Sequence, residues 1–149
     1  MSVGAGIVTP VVFSTRIDIR VSDLDAQLHV AGHAYHQFAD QARWACLQAA
    51  GVSIPDMIGA GFGPVNLETV LKFQRELRGG ETVEVSCAWI WGAGKTYRLE
   101  HVFTRSDGEI AATVGHVSGV LDLRRRKLVA DPAAAWRERA DRPELLGLT

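Results

Sequence analysis

The chain has 149 residues, 47% hydrophobic and 22% charged, with a formal net charge of −1. That length suits one domain, 1–149, built around a continuous core, and the composition excludes disordered, collagen-like and disulfide-rich classes. A near-neutral charge gives no overall attraction for nucleic acid or an anionic membrane, so neither is expected as a partner.

The opening stretch MSVGAGIVTPVVF has no basic residue ahead of its short apolar run and is followed by Arg16 and Asp18. It fits neither a signal peptide nor a membrane span. Cys46 and Cys87 offer neither a pairing framework nor a ligand spacing. They read as core thiols of a reducing compartment, and a cytoplasmic location is expected.

Val12 to Val21 alternates loosely, with Phe13, Thr15, Ile17 and Ile19 against Arg16, Asp18 and Arg20, which predicts a strand. The alternation stops over Ser22 to Gly32, a loop carrying Asp23, Asp25 and His29, and loops of this kind are where chemistry concentrates. From His33 to Ala50 there is neither Pro nor Gly. Ala34, Phe38, Ala42, Ala45 and Ala49 recur at helical spacing before Gly51, which predicts a helix. Tyr35, Ala39, Cys46 and Ala50 make its second face largely apolar too, leaving a thin polar stripe of His36, Asp40, Gln41 and Gln48. Such a helix must be mostly enclosed.

Ile54 to Ala60 reads as a short helix after Pro55. Strands are then predicted over Pro64 to Leu77, Thr82 to Trp91, Thr96 to Arg105 and Ile110 to Leu123, divided by turn-forming clusters at Arg78-Gly79-Gly80, Gly92-Ala93-Gly94 and Ser106-Asp107-Gly108. Their spacing suits an antiparallel meander. Asp131-Pro132 caps a last short helix over Ala133 to Ala140, charged enough to lie on the surface.

One enclosed helix preceded by one strand and followed by four implies an α+β fold, a sheet of about five antiparallel strands curled around that helix. Open sheet edges invite pairing between chains, so a homodimer or homotetramer is expected.

The segment Ser22-Asp23-Leu24-Asp25-Ala26-Gln27-Leu28-His29-Val30, followed by Tyr35 and Ala42-Arg43-Trp44, resembles the signature of the 4-hydroxybenzoyl-CoA thioesterase branch of the hotdog-fold superfamily. The resemblance extends to Phe73 through Glu81, similar to the family's second-strand turn, and to Asp107-Gly108-Glu109, similar to its later hairpin. Leu28 stands where that family usually has Gly, and Ala31-Gly32 where it has an Asn pair. The resemblance implies hydrolysis of an acyl-CoA or acyl-carrier-protein thioester with no metal and no redox cofactor. It makes Asp25 the nucleophile or general base, Asp23 a structural residue and the backbone N–H around Gly32 the oxyanion donor.

Elementary physics agrees with those roles. The free N–H groups and positive dipole end at a helix N-terminus favour an oxyanion, and Gly lets a ligand approach closely. An aspartate is ionised at neutral pH, and a thiolate leaves without much help from an acid.

Each residue also has a plainer reading. Taken alone, Asp25 is more often a loop-capping residue. His29 has a supporting role, fixing the loop by hydrogen bonding. His29, His33, His36 and Asp40 fall at i, i+4, i+7 and i+11, a spacing that can hold a metal only if the helix begins before His29; the resemblance starts it near Gly32, and no metal is expected. Lys95 and the run Arg124, Arg125, Arg126 could grip the phosphates of coenzyme A, or be solvated hairpin tips. Trp89 and Trp91 could line an acyl or aryl pocket or pack the core, and Glu68 is expected at the surface.

Two rivals to hydrolysis follow. One keeps the fold as a non-hydrolytic binder of an acyl-CoA or aryl ligand, motivated by Leu28 and the missing Asn pair. The other is a hydratase-type hotdog enzyme pairing Asp25 with His29.

Overall fold

The computed structural model describes residues 12–149; the reading of the first eleven residues lies outside them. The described chain runs through β1 (Phe13–Asp18), α1 (Gly32–Ala49), α2 (Ile54–Gly59), β2 (Phe62–Phe73), β3 (Thr82–Ile90), β4 (Tyr97–Arg105), β5 (Ile110–Asp122), β6 (Lys127–Leu128) and α3 (Pro132–Arg137). Short 3-10 turns at Val21–Asp23 and Pro143–Leu146 had no signal in the sequence.

The strands form one antiparallel sheet in the order β1-β3-β4-β5-β2. The meander expectation therefore holds only for β3-β4-β5. β2 crosses to the far edge and pairs with β5, from Phe62 opposite Asp122 to Phe73 opposite Ala112. β6, unforeseen, pairs with β5 beyond the end of β4.

α1 forms where the Ala-rich run has no breaker, and it lies across the concave face of the sheet. Around its first half, Ala34, Tyr35, Phe38, Ala39 and Ala42 pack on Val83, Val85, Phe103 and Val114. Its second half packs Cys46, Leu47 and Ala50 against Trp89, Tyr97, Leu99 and Leu146. This antiparallel sheet wrapped on one long helix is the hotdog architecture. No helix among the described residues is long and apolar enough to cross a membrane.

Two further expectations are corrected. The strand predicted to Leu77 stops at Phe73, because the amides of Gln74 and Arg75 both donate to the Ala111 carbonyl (2.8 and 2.9 Å) and turn the chain inward. Leu77 is then fully buried. The last helix is not a surface element either: Trp136 of α3 is buried and donates to the Tyr97 hydroxyl at 3.0 Å. Its charged neighbours mask a core anchor.

Candidate active site

The loop between β1 and α1 folds back on itself. Leu24 and Val30 form an antiparallel bridge, the Asp25 amide donates to His29 O (2.8 Å), and the Leu28 amide donates to Asp25 O (3.0 Å). Inside this turn Asp25 Oδ1 accepts from the amides of Gln27 (2.9 Å) and His29 (3.3 Å). The tight return requires Leu28 to take φ +62°, a left-handed conformation that strains any residue but Gly. Leu28 thus keeps the backbone shape for which the resembling family usually supplies Gly.

Other contacts anchor the loop to the body. Asp23, buried, accepts from the Arg20 amide at 2.8 Å and supplies its own carbonyl to the Ala31 amide at 2.8 Å. Val30 donates to Leu77 O (2.8 Å), and His29 bridges to Arg78. The His29 ring reaches Glu76, with Nε2 to Oε2 at 3.0 Å. Arg78 also grips Glu76, with Nε to Oε1 at 3.0 Å. Arg78 foremost, and then His29 and Arg105, hold the Glu76 carboxyl below the ordinary carboxylate range, so Glu76 is a fixed negative charge beside the loop.

These anchors shape a cleft of about 380 Å³ lined by Asp25, His29, Gly32, Tyr35, Phe73 and Glu76 among others. Its floor is the start of α1. Ala31 provides no side-chain cap there, so the first N–H groups of an 18-residue helix are left for a ligand. A Cβ on Gly32 would come no closer than 3.7 Å to Phe73 Cζ. Packing alone does not demand glycine, which fits a role in keeping the helix end open. Tyr35 and Phe73 meet edge to face at 5.3 Å and wall the cleft. Burial pushes the Tyr35 phenol up, so it stays neutral. Arg75 is the cation on this rim.

The structure brings Asp25, His29 and Gly32 together. It does not bring Lys95, Arg124, Arg125 or Arg126 to them. Asp25's cleft adjoins Ala111 at the start of β5 through Gln74 and Arg75, whereas the three arginines form the β5-β6 turn after Asp122, roughly 35 Å further along an extended strand. Lys95 lies at that far end as well, its carbonyl beside Gly119. Trp89 and Trp91 are also distant from the cleft and pack in the second core cluster, Trp89 stacked on Tyr97 and Trp91 tilted against it, so packing accounts for them. Glu68 is exposed beside a bulge in β2.

Tyr35, Phe73, Arg75 and Glu76 had no role assigned from sequence. All four fall in segments that carried the family resemblance, which was the available signal. The helix begins at Gly32, which removes His29 from the face of His36 and Asp40. His29's ring pairs with Glu76 rather than with Asp25, so these two residues do not make the side-chain contact of a hydratase-type dyad.

Residues 19–140 match the family model described as the thioesterase-like superfamily. No curated protein matches the sequence. Among solved structures, a 1,4-dihydroxy-2-naphthoyl-CoA thioesterase from Synechocystis, Slr0204, is similar with TM-score 0.77 at 15% identity, over 87% of this chain and 95% of that one. A Staphylococcus aureus protein solved in complex with CoA, SAV2348, gives TM-score 0.77 at 17% identity, over 87% and 82%. The 12:0-ACP thioesterase of Umbellularia californica gives 0.75 at 20%, over 86% of this chain but 49% of that enzyme. At these identities the likeness speaks for the fold.

Proposed function

This chain belongs to the thioesterase-like superfamily and is a thioester hydrolase; from that premise we propose that it cleaves an acyl-CoA or acyl-carrier-protein thioester at Asp25, in the manner of the 4-hydroxybenzoyl-CoA branch. The observation that carries this reading is a carboxylate and an uncapped helix N-terminus opening into one cleft. Oδ1 is held by the loop amides, which aims the carboxylate and leaves Oδ2 for chemistry.

Either Oδ2 attacks the carbonyl carbon, the C–S bond breaks to release thiolate, and water hydrolyses the mixed anhydride, or Oδ2 takes a proton from a water that attacks the carbonyl carbon directly, and the C–S bond then breaks to release thiolate, which picks up that proton. In both routes the carbonyl oxygen gains negative charge, and N–H groups at the start of α1, Gly32 foremost, stabilise it. His29 acts indirectly, its ring pinned by Glu76 so that its amide holds Asp25. Tyr35 and Phe73 receive an apolar or aromatic acyl group, and Arg75 is the cation placed to meet an anionic carrier at the rim.

The unit acts as a single domain and as a homo-oligomer. β2 is an open edge that exposes Leu67, Val70 and Phe73, so a second copy pairing there would cover apolar surface and close the cleft beside Phe73. It would also be the source of any phosphate grip by Lys95 or Arg124 to Arg126. A cytoplasmic location belongs to the same proposal.

Replacing Asp25 by Asn tests the assignment cleanly, since the amide oxygen can still accept from the loop amides. Thiol release from a panel of acyl-CoAs should fall by about 100-fold or more with the thermal midpoint little changed. Unaltered turnover would sink the catalytic role. One observation favours a purely structural role for Asp25: it performs the capping work of an ordinary loop aspartate.

A further inference from the structure

Away from the Asp25 cleft, the concave face carries two fully buried histidines, His101 on β4 and His116 on β5. Nothing in thioester hydrolysis uses them. His101 Nδ1 meets Ser86 O at 2.8 Å. His116 Nδ1 meets the Thr69 hydroxyl at 2.9 Å, and its Nε2 has no partner among the described residues. An orphaned ring nitrogen in a core forfeits a hydrogen bond unless something else satisfies it.

What lies over His116 is the polar stripe of α1. His36 and Asp40 are one helical turn apart, and a ligand atom from each lies within 4.8 Å of one another and of one on His116. The rings of His36 and His116 have centroids 5.7 Å apart. Two imidazoles on one tetrahedral ion, with metal–nitrogen bonds of about 2.0–2.1 Å, would place their centroids roughly 5 Å apart. The exposed side chains of His36 and Asp40 can close that difference by rotamer adjustment against a fixed His116.

We propose that His36, Asp40 and His116 form a binding site for a divalent first-row transition ion such as zinc, with two imidazole nitrogens, one carboxylate oxygen and an open position facing solvent. Two nitrogen ligands disfavour magnesium and calcium, which prefer all-oxygen shells. The Thr69 hydroxyl serves as the outer partner: when His116 donates from Nδ1 to it, Nε2 carries the free lone pair an ion needs. Arg43 works against the site, because its Nη2 pairs with Asp40 Oδ1 at 3.2 Å. It occupies one oxygen and leaves the other, so the affinity is moderated rather than abolished. This assignment departs from the metal-free expectation of the sequence, where the histidine spacing along the helix gave no view of His116 across the sheet.

The test is calorimetric titration of Zn²⁺ into the chelator-stripped, dialysed full chain. One ion per chain is expected, with the thermal midpoint raised on loading. His36→Ala and Asp40→Asn alter exposed side chains outside both core clusters, and each should weaken binding at least about tenfold. Thr69→Val should weaken it by a similar factor, the scale on which outer partners act. Cobalt(II) should give visible d–d absorption in the wild type that His36→Ala removes. Absence of saturable uptake, or uptake that neither His36→Ala nor Asp40→Asn weakens, would overturn the proposal. These readouts do not involve thiol release, so the site stands or falls separately from the catalytic assignment.

Discussion

The two ends of α1 make opposite use of one scaffold. At the C-terminal end, Trp91 just past β3 and Tyr97 of β4 both stack on Trp89 of β3, Trp136 of α3 meets Trp89 edge to face at 5.3 Å, and the Trp91 indole donates to Leu146 O at 2.7 Å. The last segment of the chain seals that end. At the N-terminal end the described residues supply no such cover: the helix start opens into a cleft bounded by an exposed loop with a left-handed leucine and by an open sheet edge. Packing that closes one end supplies the stability that lets the other stay open and strained.

The separation can be attacked from either side. Loss of the Asp25 carboxylate should be severe for turnover and slight for stability, and a change in the aromatic end should do the reverse. Trp136→Ala empties a fully packed site and strips the Tyr97 hydroxyl of its donor, which should cost about 3–5 kcal/mol in urea unfolding. Thiol release per folded molecule should stay within about twofold of wild type, as expected for sites that share no partners. A turnover that falls in step with stability would show the two ends to be coupled.

What the sequence revealed differs between these ends for a physical reason. α1 was legible because a run without Pro or Gly from His33 to Ala50 admits few alternatives, and the strands were legible from the turn clusters between them. Asp25, His29 and Gly32 were legible because they sit within a few residues of one another in a recognisable motif. Tyr35, Phe73 and Glu76 complete the same cleft from positions up to about forty residues apart, joined only when β2 crosses to the far edge beside β5. That crossing is a tertiary choice with no local signal. The aromatic end misled in the opposite way: Trp136 lies among charged residues whose local pattern suggests a surface helix, while its burial depends on Tyr97 and Trp89.

Within the open end, strain can be separated from chemistry. Leu28 at φ +62° is largely exposed, so its side chain contributes little packing to offset a conformation that costs on the order of 1 kcal/mol. Leu28→Gly should therefore raise stability by up to about 1 kcal/mol, a gain partly reduced by the extra freedom glycine gives the unfolded chain. Turnover should be retained, because the turn around Asp25 keeps its shape. Destabilisation would mean that Leu28 makes a contact, to substrate or to a second copy, that the isolated chain does not display.

The smallest effect belongs to Glu76, and it bears on whether the loop is held electrostatically. Its carboxyl is depressed below 4.5, by Arg78 first and by His29 among the rest. A depressed carboxylate contributes stability that is fully present above its unfolded value and is lost as pH falls through the folded one. The contribution of Glu76 should therefore persist at neutral pH and fade below about pH 4.5. Glu76→Gln removes it at every pH, so thermal midpoints of wild type and variant should differ at neutral pH and converge on acidification. Since Glu76 is half-exposed, added salt should narrow the neutral-pH difference too. Two midpoint curves that stay parallel down to about pH 3 would mean that the His29 tether is held by the backbone bridge to Arg78 alone, and the open end would then owe its shape to the chain's hydrogen bonds rather than to its charges.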